Sequence, residues 1–132
     1  MTVDSKVRAH LAKAKRKLGA AQLLLDHDSE RGSVPFAYFA MFHAATAMGL
    51  AEGKTVPPCS GWLAAFEEAL PKAGKIDPKY HADLLEAYRL RQVADYDVMT
   101  ELPPGVAEAT LRRATEFLAM AETFLEGVGR QD

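Results

Sequence analysis

The chain has 132 residues, of which 48% are hydrophobic and 26% are charged, and its formal net charge is −2. This length fits one domain over residues 1–132, and this balance excludes an intrinsically disordered chain. No uninterrupted apolar segment approaches the roughly 20 residues of a membrane-spanning helix, and no signal peptide is recognisable at the N-terminus. Together with the single cysteine, Cys59, which excludes an intrachain disulfide, these features predict a cytoplasmic protein without a membrane partner.

Apolar residues recur at helical spacing along the whole chain, and the alternation typical of strands is absent. The sequence therefore predicts an all-α protein, an antiparallel bundle of four to five helices. The residues from Gly53 to Ser60 are predicted to form the one substantial loop. The predicted helices, in chain order, run from Asp4 to Asp26, from Val34 to Glu52, from Gly61 to Leu70, from Pro78 to Met99 with Asp77 as N-cap, and from Pro103-Pro104 to a stop at Gly127.

The first predicted helix is strongly basic at its start. Up to Lys17 the chain carries six basic residues against the single acidic residue Asp4. Such a cluster is more often the solvated side of an amphipathic helix than a contact with phosphate, and both interpretations stay open at this point. The apolar seam of the helix predicts burial against another helix and consists of Val7, Leu11, Ala14, Leu18, Ala21 and Leu25.

The second predicted helix is apolar nearly all round, which indicates a place at the centre of the bundle. Ser33 is predicted to cap its start, with Pro35 in the first turn, because Arg31 and Gly32 interrupt the preceding pattern. His43 lies on the same side as apolar residues, so the expected role is a hydrogen-bonded core histidine. In the fifth helix, the residues predicted to face the core are Thr110, Ala114, Phe117, Ala121 and Phe124.

The fourth predicted helix carries two charges, Arg91 and Asp95, inside its apolar face. Charges in such a position are costly unless they are paired, hydrogen-bonded or facing a wet crevice. An exposed ion pair at this spacing contributes only about 0.3–0.5 kcal/mol, which does not account for the position. The pattern therefore favours a functional crevice or a subunit interface, with Tyr96 at its rim. The apolar residues of this sector are Tyr80, Leu84, Ala87, Tyr88, Ala94, Val98 and Met99.

Other sequence signatures of catalytic chemistry are absent. The four histidines are dispersed without metal-ligand spacing, no Glu-x-x-His repeat of helical metal sites occurs, and no glycine-rich phosphate loop is present. Cys59 lacks a neighbouring base in the sequence, which disfavours a catalytic thiol. We therefore expect neither a metal nor another cofactor.

The order and spacing of five segments resemble the HEPN superfamily, in particular its small stand-alone members that prokaryotes encode beside minimal nucleotidyltransferases. The resemblance extends from about Lys6 to Glu126. Its segments are the basic first helix, Ser33 with residues 37–45 (AYFAMFHAA), Ser60-Gly61 with Phe66, residues 91–96 (RQVADY) and residues 113–117 (RATEF).

The resemblance implies a homodimer in which the fourth helix of each subunit lines a shared cleft. Many family members are metal-independent ribonuclease toxins that a nucleotidyltransferase partner holds in check. Their motif is an arginine followed, after four to six residues, by a histidine, often with a tyrosine just beyond. Arg91 matches the arginine, while Asp95 and Tyr96 stand where the histidine and tyrosine are expected, so these three are the predicted catalytic residues. We expect the cleft to be lined by Tyr38, His43 and Tyr88.

The missing histidine leaves three hypotheses open. Cleavage of RNA by its own 2′-OH needs a cation, which Arg91 supplies, a base, for which an aspartate is weak at neutral pH, and a proton donor, for which Tyr96 and His43 are the candidates. The favoured hypothesis is a weakly active or non-enzymatic member of a toxin–antitoxin-like pair that binds the nucleotidyltransferase and, in addition, RNA or a nucleotide. The alternatives are a ribonuclease toxin that uses Arg91, Asp95 and Tyr96, and a structural dimer in which Arg91 and Asp95 only bridge the subunits.

Overall fold

The computed structural model describes residues 3–53 and 61–129, and within these ranges it contains five helices and no strand. The predicted all-α fold is therefore confirmed. Most of the loop predicted between Gly53 and Ser60, including Cys59, lies outside the described residues. The helices are α1 (Val3–Asp26), α2 (Glu30–Ala51), α3 (Trp62–Ala69), α4 (Pro78–Tyr96) and α5 (Val106–Gly129).

The four long helices alternate in direction along the chain. In the α1–α2 hairpin, Ser33 lies beside Ala21 and His43 lies beside His10, so moving forward along α2 means moving back along α1. The first turn of α2 likewise contacts the last turn of α4. The first half of α4 contacts the middle of α5 in the same antiparallel sense. The short helix α3 packs on α2 and α4.

Helix α2 is the central element, because it packs against each of the other four helices. More than half of its 22 residues are buried, which confirms the central place predicted from its apolar composition. By length and composition alone, α2 is also apolar enough to cross a membrane, although polar residues such as His43 interrupt its apolar run. Because most of α2 is enclosed by the other helices, its role as the core helix accounts for this composition.

The core combines small side chains between α1 and α2 with bulky ones beside α3, α4 and α5. Ala14 and Ala21 of α1 and Ala37 and Ala44 of α2 are completely buried, which allows the two helices to approach closely. The predicted inner face of α5 is confirmed, since four of its five residues are buried and the fifth, Phe124, packs partly buried against the core. The largest fully buried side chains are those of Phe66, Phe117, Met41, Met48, Leu70 and Leu84.

Helix α2 begins four residues earlier than predicted, at Glu30, with Ser29 as its N-cap. The predicted cap, Ser33, is instead fully buried inside the helix, and its hydroxyl donates a 2.7 Å hydrogen bond to the carbonyl of Ala21 in α1. Pro35 consequently lies within the helix rather than in its first turn. The prediction was wrong because the local sequence Arg-Gly-Ser suggests an interruption of the helix. In the structure the Ser33 hydroxyl does not cap its own helix but binds a carbonyl of α1.

Helix α4 ends at Tyr96, three residues before the predicted end at Met99. The Asp97 carboxylate accepts hydrogen bonds from the hydroxyl and backbone N–H of Thr100 and from the N–H of Met99, which turns the chain out of the helical path. These hydrogen bonds hold the pKa of Asp97 below its ordinary value, and the bond from the Thr100 hydroxyl has the largest effect. Val98 and Met99 are 89% and 87% exposed, so the prediction that they belong to the apolar sector of α4 was wrong.

The other helix ends differ less from the predictions. α1 and α3 agree within one residue at each end, and α5 starts at Val106 instead of Pro103. α5 also continues through the predicted stop at Gly127 to Gly129. A glycine costs a helix only about 1 kcal/mol relative to alanine, so it permits an end without imposing one.

The Ser33 hydroxyl offers a direct test of the α1–α2 contact. Ser33→Ala removes a buried hydrogen bond of a kind that contributes about 1 kcal/mol, so we expect urea denaturation to show a comparable loss in the free energy of unfolding. Ser29→Ala is the matched control and should cost less than about 0.5 kcal/mol, because the Ser29 side chain makes no capping hydrogen bond. A larger loss for Ser29→Ala would show that the Ser29 hydroxyl does cap α2, and an unchanged stability of Ser33→Ala would contradict the buried hydrogen bond to Ala21.

Candidate functional site

Arg91 lies where α4 packs against α2, in a group of three aromatic rings. Its guanidinium carbon is 4.8 Å from the centre of the Phe39 ring, 5.5 Å from that of Tyr38 and 6.0 Å from that of Tyr96. A guanidinium at such distances is attracted by the negative faces of the rings. The Arg91 side chain is only 22% exposed. The rings therefore fix the position of this cation at the α2–α4 boundary.

Asp95 follows Arg91 by one helical turn and forms an ion pair with it. The Nε of Arg91 and the Oδ2 of Asp95 are 3.3 Å apart. The Nε–H is buried, yet it has no hydrogen-bond partner within the described part of the chain, so the pair is held by charge without a properly directed hydrogen bond. A buried N–H without an acceptor costs about 1–3 kcal/mol, and its burial also keeps an external ligand from reaching it. The two Nη groups make no hydrogen bond within the described residues, and they are the part of this 22% exposed side chain that an anionic ligand can approach.

Tyr38 and Tyr88 form the inner wall of this group, with ring centres 5.8 Å apart. The Tyr88 hydroxyl accepts a 2.9 Å hydrogen bond from the Nε2 of Gln92. Burial raises the pKa of Tyr38 to about 12, so its phenol stays protonated at neutral pH. At the outer side, Tyr96 is the last residue of α4 and is 68% exposed. The site is thus enclosed by α2 and open to solvent at the end of α4.

His43 lies on the side of α2 that faces α1. Its Nδ1 is 3.1 Å from the Nδ1 of His10, and the two rings are stacked with centres 5.3 Å apart. Burial, followed by the charges of His10, Lys13 and Lys17, lowers the pKa of His43 to about 4. Within the described residues, no hydrogen bond or ring contact joins His43 to Arg91. The structure thus brings Arg91, Asp95, Tyr96, Tyr38 and Tyr88 together and leaves His43 in a separate histidine pair.

Arg31, in the first turn of α2, holds the end of α4 and is not singled out by the sequence as a site residue. Its guanidinium donates hydrogen bonds to the carbonyls of Val93 (2.8 Å), Ala94 (2.9 Å) and Thr100 (2.7 Å), and also to that of Asp97. Carbonyls at the C-terminal end of a helix lack intrahelical donors and favour a nearby cation. A basic residue is unfavourable in the first turn of a helix. The position of Arg31 in that turn is therefore the one sequence signal that its side chain binds outside its own helix.

These residues offer a fixed cation, a protonated buried phenol, a carboxylate and an exposed phenol at one edge of the bundle. A guanidinium binds phosphate oxygens with good geometry, and the exposed phenol of Tyr96 can donate a hydrogen bond to the same oxygens. Tyr38 is only 3% exposed, so it contributes the face of its ring to Arg91. Within residues 3–53 and 61–129, no three His, Cys, Asp or Glu side chains are close enough to hold a metal ion. The arrangement is therefore suited to binding a phosphate group through the protein's own side chains.

The Arg31 contacts predict that the end of α4 depends on this one side chain. Arg31→Ala should cost about 1–2 kcal/mol of stability and should accelerate hydrogen exchange of the backbone amides from Val93 to Asp97. Arg89→Ala is the control. The Arg89 side chain is 68% exposed, and its ion pair, with Glu86 at 3.8 Å, stays within α4, so it does not connect α4 to another helix. Unchanged exchange in the last turn of α4 after Arg31→Ala would contradict the assigned role.

The His10–His43 pair predicts a pH-dependent stability. Folding lowers the pKa of His43 from 6.5 to about 4, and that of His10 is lowered too, so between these values the unfolded chain binds more protons than the folded one. Stability should therefore fall as the pH drops from about 6.5 towards 4, by roughly 1–2 kcal/mol once solvent screening of this partly exposed pair is allowed for.

Urea unfolding over a series of pH values measures this effect. His43→Gln keeps a hydrogen-bonding side chain but should flatten the dependence between pH 6.5 and 4, whereas replacing the exposed His27 by Gln should leave it as it is. The same slope in wild type and His43→Gln would show that the pair does not titrate in this way.

Comparisons with known proteins identify the family of the chain. A model of the HEPN domain matches residues 7–131. A UPF0332 protein of Thermotoga maritima is 29% identical over 118 residues, which cover 89% of each chain. A UPF0332 protein of Gloeobacter violaceus is 31% identical over 114 residues, 86% of this chain and 90% of that protein. A Methanocaldococcus jannaschii protein named "Putative toxin" is 29% identical over 115 residues, 87% of this chain and 78% of the other.

The match to the HEPN domain covers nearly the entire chain, and it includes the segment from Arg91 to Tyr96 on which the site is built. It therefore confirms the superfamily resemblance of the sequence motifs, and the protein belongs to the HEPN domain family.

Proposed function

We propose that this HEPN protein is one component of a toxin–antitoxin-like pair and binds RNA through a phosphate at the Arg91 site. In this proposal two copies form a homodimer around α4, and a minimal nucleotidyltransferase is the partner. The observation that carries the proposal is the Arg91 guanidinium, which three rings hold at the α2–α4 boundary and whose Nη groups make no hydrogen bond within the described chain.

A phosphate of RNA supplies what this guanidinium lacks. Its oxygens accept charge-assisted hydrogen bonds from the Nη groups of Arg91, while the buried Nε stays beside the carboxylate of Asp95. The exposed ring of Tyr96 offers a surface on which an unpaired base can stack. Arginine beside aromatic rings is a combination that single-stranded RNA recognises through both its charge and its bases.

The end of α4 supports a homodimer around this helix. Val98 and Met99 are 89% and 87% exposed, and they follow directly after the end of α4, two and three residues beyond Tyr96. Exposed apolar residues in a group are typical of interaction sites. A twofold axis near this surface would cover it with its own copy and place two Arg91 sites along one cleft. The toxin name of the Methanocaldococcus jannaschii relative supports the toxin–antitoxin part of the proposal.

Ribonuclease activity is the second candidate function. The Asp95 side chain is 35% exposed and not fully engaged by Arg91, so it is available to accept the proton of a 2′-OH. The exposed phenol of Tyr96 is the proton donor beside Arg91 that a substrate can reach, because Tyr38 is only 3% exposed. Because an imidazole is missing from this group and His43 is paired with His10, we rank RNA binding above efficient cleavage.

Arg91→Ala tests the proposed site. Loss of charge-assisted hydrogen bonds worth about 1.5–3 kcal/mol should weaken the binding of labelled single-stranded RNA by roughly 10- to 100-fold in fluorescence anisotropy. Arg89→Ala, which removes the same charge two residues away on the exposed side of α4, should leave the affinity unchanged. The same samples, incubated in EDTA and separated on a denaturing gel, report cleavage. Equal affinities for wild type and Arg91→Ala would overturn the proposal.

The oligomeric state separates the proposed function from a purely structural dimer. If Arg91 and Asp95 only bridge the subunits, Arg91→Ala should be monomeric by size-exclusion chromatography with light scattering. The proposal expects a dimer that has lost RNA affinity. The partner is tested by co-expression with a nucleotidyltransferase encoded beside the gene, and failure to co-purify such a protein would remove the paired-system part of the proposal.

A further inference from the structure

Several basic residues of α1 share one edge of the helix. Lys6, His10, Lys13 and Lys17 follow one another at intervals of four, three and four residues, which places them on one side of the helix, about a quarter turn from the apolar seam. We call these four residues the basic edge. Within the described part of the chain, no carboxylate lies within ion-pair distance of its three lysines.

The basic edge runs beside an aromatic face of α2. The Nζ of Lys17 lies 5.2 Å from the centre of the Phe36 ring, and His10 is stacked on His43. Lys13 lowers the pKa of both histidines, which places its charge close to the pair. Phe36 and His43 are seven residues apart and therefore lie on the same side of α2. The contacts thus align the basic edge along one face of the central helix.

The same face of α2 leads to Arg91. Phe39 lies between Phe36 and His43 in this row, and the Arg91 guanidinium carbon is 4.8 Å from its ring centre. α1 and α4 both pack on α2, but the described parts of these two helices do not touch each other, while α5 packs against all three. Partly buried rings of α2 therefore lie between the basic edge on one side and Arg91 on the other.

We propose that the basic edge binds the phosphate backbone of the single-stranded RNA whose phosphate occupies the Arg91 site. The inference rests on the proposed RNA binding and extends it to a path across the protein. Lys6 and Lys17 are about 16 Å apart along the helix axis, a length that spans several nucleotides. A second copy of the chain is the less favourable occupant, because the proposed dimer contact lies at the end of α4 and the described parts of α1 and α4 do not contact each other.

Two double variants with the same change in charge test this path. Lys13→Gln with Lys17→Gln removes two cations of the basic edge and keeps the side-chain stem over Phe36. Lys15→Gln with Arg16→Gln is the matched control, because Lys15 is on the other side of α1, 4.0 Å from Glu122 of α5, and Arg16 is exposed. The affinity for an eight-nucleotide RNA is measured against salt concentration, with Arg91→Ala in parallel, and circular dichroism confirms folding of each variant.

Each phosphate contact with a single strand contributes about 0.7 to the slope of log affinity against log salt concentration. The Lys13/Lys17 variant should therefore lose about 1.4 of this slope and at least about tenfold in affinity at low salt, while the Lys15/Arg16 variant keeps the wild-type slope. A dinucleotide without terminal phosphates has a single phosphate and cannot occupy Arg91 and the basic edge at once, so both double variants should bind it like the wild type.

The other outcomes overturn the inference in distinguishable ways. Equal losses in both double variants would show that only net charge matters. A loss confined to Arg91→Ala would remove the basic edge and keep the Arg91 site, whereas a loss confined to the Lys13/Lys17 variant would overturn the Arg91 site and the path between the two. A changed oligomeric state of the Lys13/Lys17 variant would identify the edge as a subunit contact. No binding of RNA by the wild type would overturn both proposals.

Discussion

Two arginines cross the boundary between α2 and α4 in opposite directions, and the position of the candidate site depends on both. Arg31 extends from the start of α2 to the carbonyls at the end of α4, and Arg91 extends from α4 onto the rings of α2. The first contact gives a donor to carbonyls at the C-terminal end of α4, where intrahelical donors run out, although the Val93 carbonyl also accepts from the N–H of Asp97. The second places a cation against π electrons. Together they fix the register in which Asp95 and Tyr96 stand beside the aromatic residues of α2.

The central position of α2 explains why a charge can be kept at this boundary. α2 contacts every other helix, so its large side chains at the α4 side are partly buried and cannot reorient freely. Tyr38 contacts Tyr88 and Trp62 in addition to Arg91, which locks the ring on which the guanidinium rests. A cation held by rings stays charged and retains its N–H groups for a ligand, whereas a cation held by several carboxylates would have them occupied.

The sequence predicts the helical class, the central place of α2 and the inner face of α5, because each depends on a period that is visible within one helix. Ends were predicted less well where a partner from elsewhere decides them, as Ser33 shows with Ala21 of α1 and Asp97 with the turn at Thr100. The position of two charges in the apolar face of α4 indicates Arg91 and Asp95 as candidate site residues. The sequence does not show which side of α2 faces which neighbour, and therefore it does not separate Tyr38, beside Arg91, from His43, beside His10.

The separation of His43 from Arg91 bears on the chemistry of the site. A general base works best when its pKa lies near the working pH, and the groups with clearly displaced values here lie far from neutrality, with Tyr38 at about 12 and His43 at about 4. The Tyr38 phenol thus stays protonated at every physiological pH. The ring of His43, stacked on that of His10, serves the contact between α1 and α2. Binding a phosphate needs a permanent cation and permanent donors, and it needs no proton transfer. The side chains gathered around Arg91 meet that requirement more completely than they meet the requirements of strand cleavage.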